Sequence, residues 1–507
     1  MFDLLIKNGT VLTIDDTMMQ GRWLGVKDGV IAAIGCRDDA PAAAKQVIDL
    51  AGKTLLPGLG DSHAHLSLTG IQQASTSLAQ ITSIADILEI VEDVCAQRAA
   101  DELAVFTLLP SESSIAEKRF PTRDELDAVS PDNPVLIVHW SNHGGCLNSK
   151  ALTLANLPPE MRKVREQGII DQDAVHLRVC QNLYASLGKD VFRKLYHHLG
   201  AQAVAKGITS IHSLDGMFVK DDMDVAVLLP IIDELPLNIV PYTQTFDLQK
   251  ILDWQLPRIG GCLMLDGSGG VFTSCYSKIY PANPNTRGLL NYSDQYLYQF
   301  VKKCSENNIQ CAFHAIGDRA IDQIIYVYYQ VHKELGGINY LRHRIEHFSF
   351  PSEDHLAKAA EMELSCNDQP NFGGLFDTPD LNLFAEWVYG EDVNRHENQG
   401  RLLRAGVHTS AGTDSPCTPL DPWLSLNFLC NQYNAHRRVS LDDALRLHTI
   451  HVAWAAHQEK FTGNLVVGKN ADMIITDKNP YQCSADLTQI KVLQTFYKGR
   501  SVYQAKA

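Results

Sequence analysis

The chain has 507 residues, 45% hydrophobic and 20% charged, with 59 acidic against 44 basic side chains and a formal net charge of −15. Such a length exceeds one small core and suits a large barrel with a satellite domain. The acidic balance argues against nucleic acid or an anionic membrane as a partner, so a small-molecule substrate is expected. The opening "MFDLLIKNGTVLTIDD" has no basic stretch leading into a long apolar run, and "VAVLLPIID" is interrupted by Pro230 and Asp233. Neither a signal peptide nor a membrane span is therefore expected. Twelve cysteines without C-x-x-C pairs read as reduced thiols, which makes the cytoplasm the simplest location.

In chain order, "DLLIKNGTVLTI", "RWLGVKDGVIAAIG" and "KQVIDLAGKTLLPG" read as short strands, with Asn8-Gly9 and Asp28-Gly29 as hairpin turns. The other end repeats the style in "GNLVVGKNADMIITDKNP" and "IKVLQTFYKGRSVYQA". Residues 1–54 and 456–507 are accordingly assigned to one composite β-sandwich domain. The middle, 55–455, alternates apolar runs with helical stretches such as "DRAIDQIIYVYYQVHKEL". That is the pattern of parallel strands joined by helices. Eight strand ends can be placed: "LLPGLGDSHAH", "GITSIHS", "LNIVPYTQT", "GGCLMLDGS", "IQCAFHAIGD", "HRIEHF", "MELSCNDQP" and "GVHTSAGTDSP". Eight units predict an α/β fold, a (β/α)8 TIM barrel with its chemistry at the C-terminal strand ends. Residues 66–206 are too many for one crossover and are read as a cap inserted between strands one and two.

His63 and His65, at i and i+2, share one face of the first strand. His314 ends the fifth strand, His347 the sixth, and Asp414 the eighth. A barrel brings these five into one ring. Four imidazoles and a carboxylate suit a divalent metal, Zn2+ first, with Fe, Mn or Ni as alternatives.

These motifs, with "VGKNADMIITD" near the end, resemble the amidohydrolase superfamily, specifically the family 3 branch typified by N-substituted formamide deformylase. The landmarks come in the right order over nearly the whole chain. The resemblance implies a metal-dependent hydrolase, a TIM barrel with a β-sandwich from both ends, and a homo-oligomer as a common assembly. It carries metal and catalytic roles onto His63, His65, His314, His347 and Asp414. One departure stands out. The family's fourth strand usually bears a lysine, carbamylated to bridge two metals, ahead of an Asp-Gly-Ser sequence. Here "RIGGCLMLDGS" has no lysine before Asp266, and the place falls at Cys262 or Leu263. Either the site holds one metal, or the Cys262 thiolate helps to hold a second; a cysteine simply packed in the strand is the plainer reading. Lys278 lies too far beyond the strand to serve as the bridge.

The expected reaction is hydrolysis of a C–N bond in an amide, formamide or N-acyl amine by activated water, with Asp414 moving the proton and His347 as a second catalytic candidate. His143 in "HWSNHGGCLNSKAL", His212 in "TSIHSL" and Gln369 before Pro370 are candidates for substrate contact, each with a structural role as the alternative. Asp318 and Arg319 are read as a structural pair, and the histidines of "HTIHVAWAAH" as structural. Two rivals stand beside the amidase: a mononuclear deaminase of a heterocyclic amine, and a non-catalytic or regulatory protein on the same scaffold.

Overall fold

The computed structural model describes residues 1–506 apart from 19, 38, 42, 141, 143, 171 and 172. His143 therefore lies outside the described residues. Strands from both chain ends belong to one hydrogen-bonded sheet of eight. Its order runs Arg500–Gln504, Val492–Tyr497, Met473–Thr476, Thr54–Pro57, Phe2–Leu12, Gln20–Lys27, Val30–Gly35, and Ala44–Asp49 pairs with Phe2–Leu12 as well. Leu4, Ile6, Val11, Leu24, Val26, Met473, Ile475 and Phe496 are buried together on it. Thr54–Pro57 pairs antiparallel with Met473–Thr476 in this sheet.

The two hairpin signals part company. Asp28 and Gly29 both have positive φ, 54° and 78°, as a tight two-residue hairpin turn requires. Asn8-Gly9 makes no turn between strands. It lies inside the single strand Phe2–Leu12 at a register shift, where Asn8 has φ 62°. A side chain at Gly9 would meet the Lys53 carbonyl oxygen at 2.4 Å. The glycine therefore serves a bulge and a close backbone approach.

Each of the eight expected segments holds a parallel strand: β1 Leu59–Ala64, β2 Ile208–Gly216, β3 Asn238–Gln244, β4 Arg258–Met264, β5 Gln310–Ala315, β6 Arg344–His347, β7 Ser365–Asp368 and β8 His408–Ala411. They form a sheet β3-β2-β1 and a sheet β4-β5-β6-β7-β8. Backbone bonds tie the segment after β8 to β1, from Asp414 N to His63 O (2.7 Å) and from His65 N to Ser415 O (2.8 Å). Helices cover the strands. Asp318–Glu334 buries Ile321, Ile324, Ile325, Tyr328 and Val331, a stripe at helical spacing that joins Phe313 of β5 and Ile345 of β6 in one core. Between β1 and β2 the chain builds a separate five-stranded sheet from Thr76–Ser77, Ala104–Leu109, Val135–His139, Gly145–Leu147 and Ile169–Ile170. Among the described residues no helix is long and apolar enough to cross a membrane.

Candidate metal centre

The site begins with β1. His63 sits in β1 where its pairing with β2 steps by one residue, His65 lies just past the strand's end with its ring 5.3 Å from that of His63, and Asp61 has a structural role. Its Oδ1 accepts from His63 N (3.0 Å) and Thr413 N (3.0 Å), and its Oδ2 accepts from Thr413 Oγ (2.6 Å). Asp61 thus fastens the histidine strand to the loop that carries Asp414, although burial pushes its carboxyl up to about 6. Gly412 permits that closeness, since a Cβ there would sit 2.6 Å from His63 Cβ.

Three of the imidazoles, those of His63, His65 and His314, are anchored through one nitrogen. His65 Nδ1 is 2.7 Å from Leu214 O, and His63 Nδ1 is 2.9 Å from Glu346 Oε2. Their Nε2 atoms then lie 3.1 and 3.2 Å from Asp414 Oδ1. His63 Nε2 is buried without a hydrogen-bond partner of proper geometry. On the other side, His314 Nε2 is 3.1 Å from Gly267 O, which turns its Nδ1 to Cys262 Sγ at 3.3 Å. His347 Nε2 is 3.6 Å from the same sulfur. Fixing one ring nitrogen on a carbonyl or carboxylate while the other faces a shared centre is how metal-ligating histidines are oriented.

Cys262 reaches this centre through a bulge. The β4–β5 register steps from Gly260↔Ala312 to Leu263↔Phe313, which leaves Gly261 and Cys262 unmatched. Gly260 and Gly261 have φ of 96° and 103°, conformations that L side chains rarely adopt. A Cβ at Gly260 would collide with the Ala312 carbonyl oxygen. Glycine is therefore obligatory there, and the bulge re-aims the cysteine. His347 and Asp414 also have positive φ, 67° and 55°. For non-glycine residues such backbone costs on the order of 1–3 kcal/mol each.

Five of these donors fall into two overlapping groups, His63/His65/Asp414 and His63/Cys262/His347, all buried; within each, the ligand atoms lie within 4.8 Å of one another, and His314 adjoins them through Cys262. Burial disfavours charge on His65, yet Asp414 and then Cys262 raise it to about 10. Burial likewise opposes His314, which Cys262 and then Asp266 raise to about 9. Burial works against the Cys262 thiolate, but the neighbouring imidazoles, His314 foremost, bring its pKa well below the usual thiol range. A set of nitrogen, oxygen and sulfur donors in which the thiolate and the carboxylate are held ionised beside three imidazoles fits a divalent cation. His63, His65, Cys262, His314, His347 and Asp414 would hold it.

Behind these donors lies a buried network that motif reading did not single out. Arg344 donates to Glu346 through Nε (2.7 Å) and Nη2 (2.9 Å), to Ser62 O through Nη2 (2.9 Å), and to His212 Nδ1 through Nη1 (2.7 Å). Removing one partner of such a buried pair costs about 3–5 kcal/mol. The available signal was charge at alternate positions, Arg344 and Glu346, in a short strand.

This network holds His212. It is wholly buried and bound to Arg344, and it is not among the described residues lining the cavity over the centre. Burial, with Arg344, holds its pKa well below the usual range, so it is neutral. Gln369 is wholly buried and does not line the cavity either. Lys278 pairs with Asp392 at 2.9 Å on the surface. Asp318 gives its oxygens to Ser277 N and Oγ, at 2.7 and 2.5 Å, in place of the expected pair with Arg319. His448, His451 and His457 each meet a backbone carbonyl, of Gly60, Thr409 and Leu341.

The cavity, of about 150 Å³, is lined by His65, Cys262, His314, His347 and Asp414 and by apolar side chains from several elements, and the inserted segment supplies Trp140 and Leu177. The family model described as amidohydrolase family matches residues 46–503. The chain belongs to the amidohydrolase family. It is 25% identical to an N-substituted formamide deformylase of Arthrobacter pascens, over 99% of this chain and 99% of that protein. It is 24% identical to the amidohydrolase YtcJ of Bacillus subtilis, over 94% of this chain and 95% of that one. In fold, this amidohydrolase resembles a metal-dependent hydrolase of Pyrococcus horikoshii (TM-score 0.81, 23% identity, 96% of this chain and 99% of that one).

Proposed function

We propose that this amidohydrolase is a metal-dependent hydrolase of a C–N bond in a small amide, formamide or N-acyl amine. The observation that carries this reading is the convergence of two buried donor groups sharing His63, with His65, Cys262, His347 and Asp414 open to one cavity. When bound, a divalent metal, zinc by its donor set, supplies activated water at neutral pH and polarises the scissile carbonyl. Asp414 accepts the water's proton on its carboxylate and carries it to the leaving nitrogen. Burial resists the ionisation of Asp414, but His63 and His65 hold its pKa well below the usual carboxylate range, so it starts unprotonated. Glu346 and the Leu214 carbonyl keep His63 and His65 turned inward, and apolar side chains exclude bulk water around the reacting bond. The Cys262 thiolate stands where the family's carbamylated lysine would, and supports a second ion beside the first.

The same reading closes the two parallel sheets into one (β/α)8 barrel, with the Asp414–His63 and His65–Ser415 backbone bonds as its seam, and folds the chain-end sheet as a sandwich beside it. Twelve free cysteines support a reducing compartment. The absence of a lysine from β4 favours one alternative, a single-metal deaminase of a heterocyclic amine. Metal analysis of protein purified without chelator, followed by N-formyl and N-acyl amines as substrates, tests the proposal. About two ions per chain with amine release supports it. One ion with ammonia release from heterocycles selects the deaminase, and metal-free, inactive protein overturns both.

A further inference from the structure

The cavity wall carries a second polar station that the metal centre does not use. Glu397, 4% exposed, and His396, wholly buried, both line the cavity. Glu397 Oε2 and His396 Nδ1 have no hydrogen-bond partner. Both residues are held in place. Glu397 N donates to Ser349 O (3.0 Å), and His396 Nε2 is 3.1 Å from Tyr276 Oη. The His396 ring sits 4.5 Å from Phe384 and 5.5 Å from Trp387, centroid to centroid.

Behind Glu397 is Asp368, wholly buried at the end of β7, hydrogen-bonded to the Glu397 carboxyl and with Oδ2 unpartnered. The neighbouring cation, Arg437, is committed to Asp377 at 2.5 Å. Two buried carboxyl groups thus share a wall with no cation of their own, a costly arrangement unless something positive completes it. In the empty protein that is a proton: burial and the Asp368 charge push Glu397 well above the usual carboxylate range. No lysine or arginine is among the described residues lining the cavity. At this end of the cavity, away from the metal donors, an anionic group would therefore meet Glu397 with no lysine or arginine beside it. A primary ammonium meets the opposite. It can donate to Glu397 Oε2 and, with His396 Nε2–H given to Tyr276 Oη, to the lone pair of His396 Nδ1. The faces of Trp387, Trp140, Phe372 and Phe376 in the same lining favour a cation as well. A cavity of about 150 Å³ has room for a benzene-sized group.

We propose that Glu397 and His396 form a recognition point for a primary ammonium on the substrate, so that the preferred substrates are mono-acylated diamines with a short apolar spacer. As the ammonium docks, the proton shared by Glu397 and Asp368 leaves to solvent. This proposal rests on the hydrolase reading for which nitrogen is cleaved, and on the cavity alone for which is bound.

The test uses metal-loaded full-length protein and two probes, N-formyl-4-(aminomethyl)benzylamine and its 4-(hydroxymethyl) analogue, with binding measured by calorimetry at pH 8. The amine should bind at least about tenfold more tightly, as a charge-assisted hydrogen bond provides. Glu397→Gln should cut that ratio below threefold, and His396→Gln, as an independent variant, should lower it too. Equal binding of the two probes by the unaltered protein, or a ratio that survives both substitutions, overturns the proposal. Turnover of the same probes is read separately. Probes bound with the expected ratio but not cleaved sink the hydrolase reading and leave ammonium recognition standing, whereas cleavage without a ratio does the reverse.

Discussion

The two corners of the candidate metal centre reach the same point by different routes. His63 sits at a one-residue register step of β1 against β2 and His65 just past the end of β1, and Asp61 clamps that strand to the Asp414 loop. Cys262 arrives through a two-residue bulge of β4, beside Gly260 and Gly261 with their positive φ. The first corner offers nitrogen and oxygen, the second nitrogen and sulfur, so the second favours softer ions. His63 belongs to both groups and couples them. A small register step held by a buried carboxylate and a larger bulge built on glycines bring their donors to one place.

The comparison breaks most sharply at Asp414. Asp414→Asn should lower turnover by about 10²–10⁴-fold, the worth of a positioned proton carrier, while circular dichroism stays native and most of the metal remains. Activity within tenfold of the parent would remove the first corner from the chemistry. The second corner is sharpened by Cys262→Ser. Cobalt-loaded parent protein should show a thiolate-to-metal charge-transfer band that this variant lacks, and its metal content should fall by about one ion per chain. A parent without the band means that the cysteine is merely packed.

The smallest effect concerns the histidines that brace the two corners. His448 Nδ1 is 2.9 Å from Gly60 O on β1, and His343 Nδ1 accepts from Cys311 N on β5 at 3.0 Å. Burial depresses them to about 4 and about 3, against an ordinary value of 6.5. Below pH 6.5 the unfolded chain binds protons that the folded one refuses, so stability is lost as pH falls toward those values. Each histidine contributes about one decade of folding equilibrium per pH unit across that window. In denaturant titrations between pH 6.5 and 4.5, His448→Gln should reduce the slope by about one proton; an unchanged slope would mean that His448 is not the titrating brace.

Much of this was legible in the chain. The eight strands announce themselves as apolar runs ending in polar residues, and His63, His65, His314, His347 and Asp414 occupy those ends. What was missed has physical reasons. A bulge obeys no alternation, so Cys262 could be suspected of ligation but not oriented. His212 looked exposed to substrate because a strand-end histidine gives no hint that Arg344 waits inside the ring. Asn8-Gly9 carries the same residue types as a hairpin turn, and only the Lys53 carbonyl beside Gly9 makes it a bulge. Glu397 and His396 lie between short helices, where no periodicity distinguishes a buried acid from a solvated one.

The glycine pair in β4 has a consequence for anyone redesigning the centre. A thiol ends at the first atom past Cβ, whereas a carbamylated lysine continues through several more, so the two do not exchange on one backbone. The two unmatched positions of β4 present the short side chain, beside Gly260 and Gly261 in conformations that L side chains rarely adopt. A lysine at position 262 therefore calls for a rebuilt strand, with Gly260 and Gly261 inherited or discarded together with the sulfur.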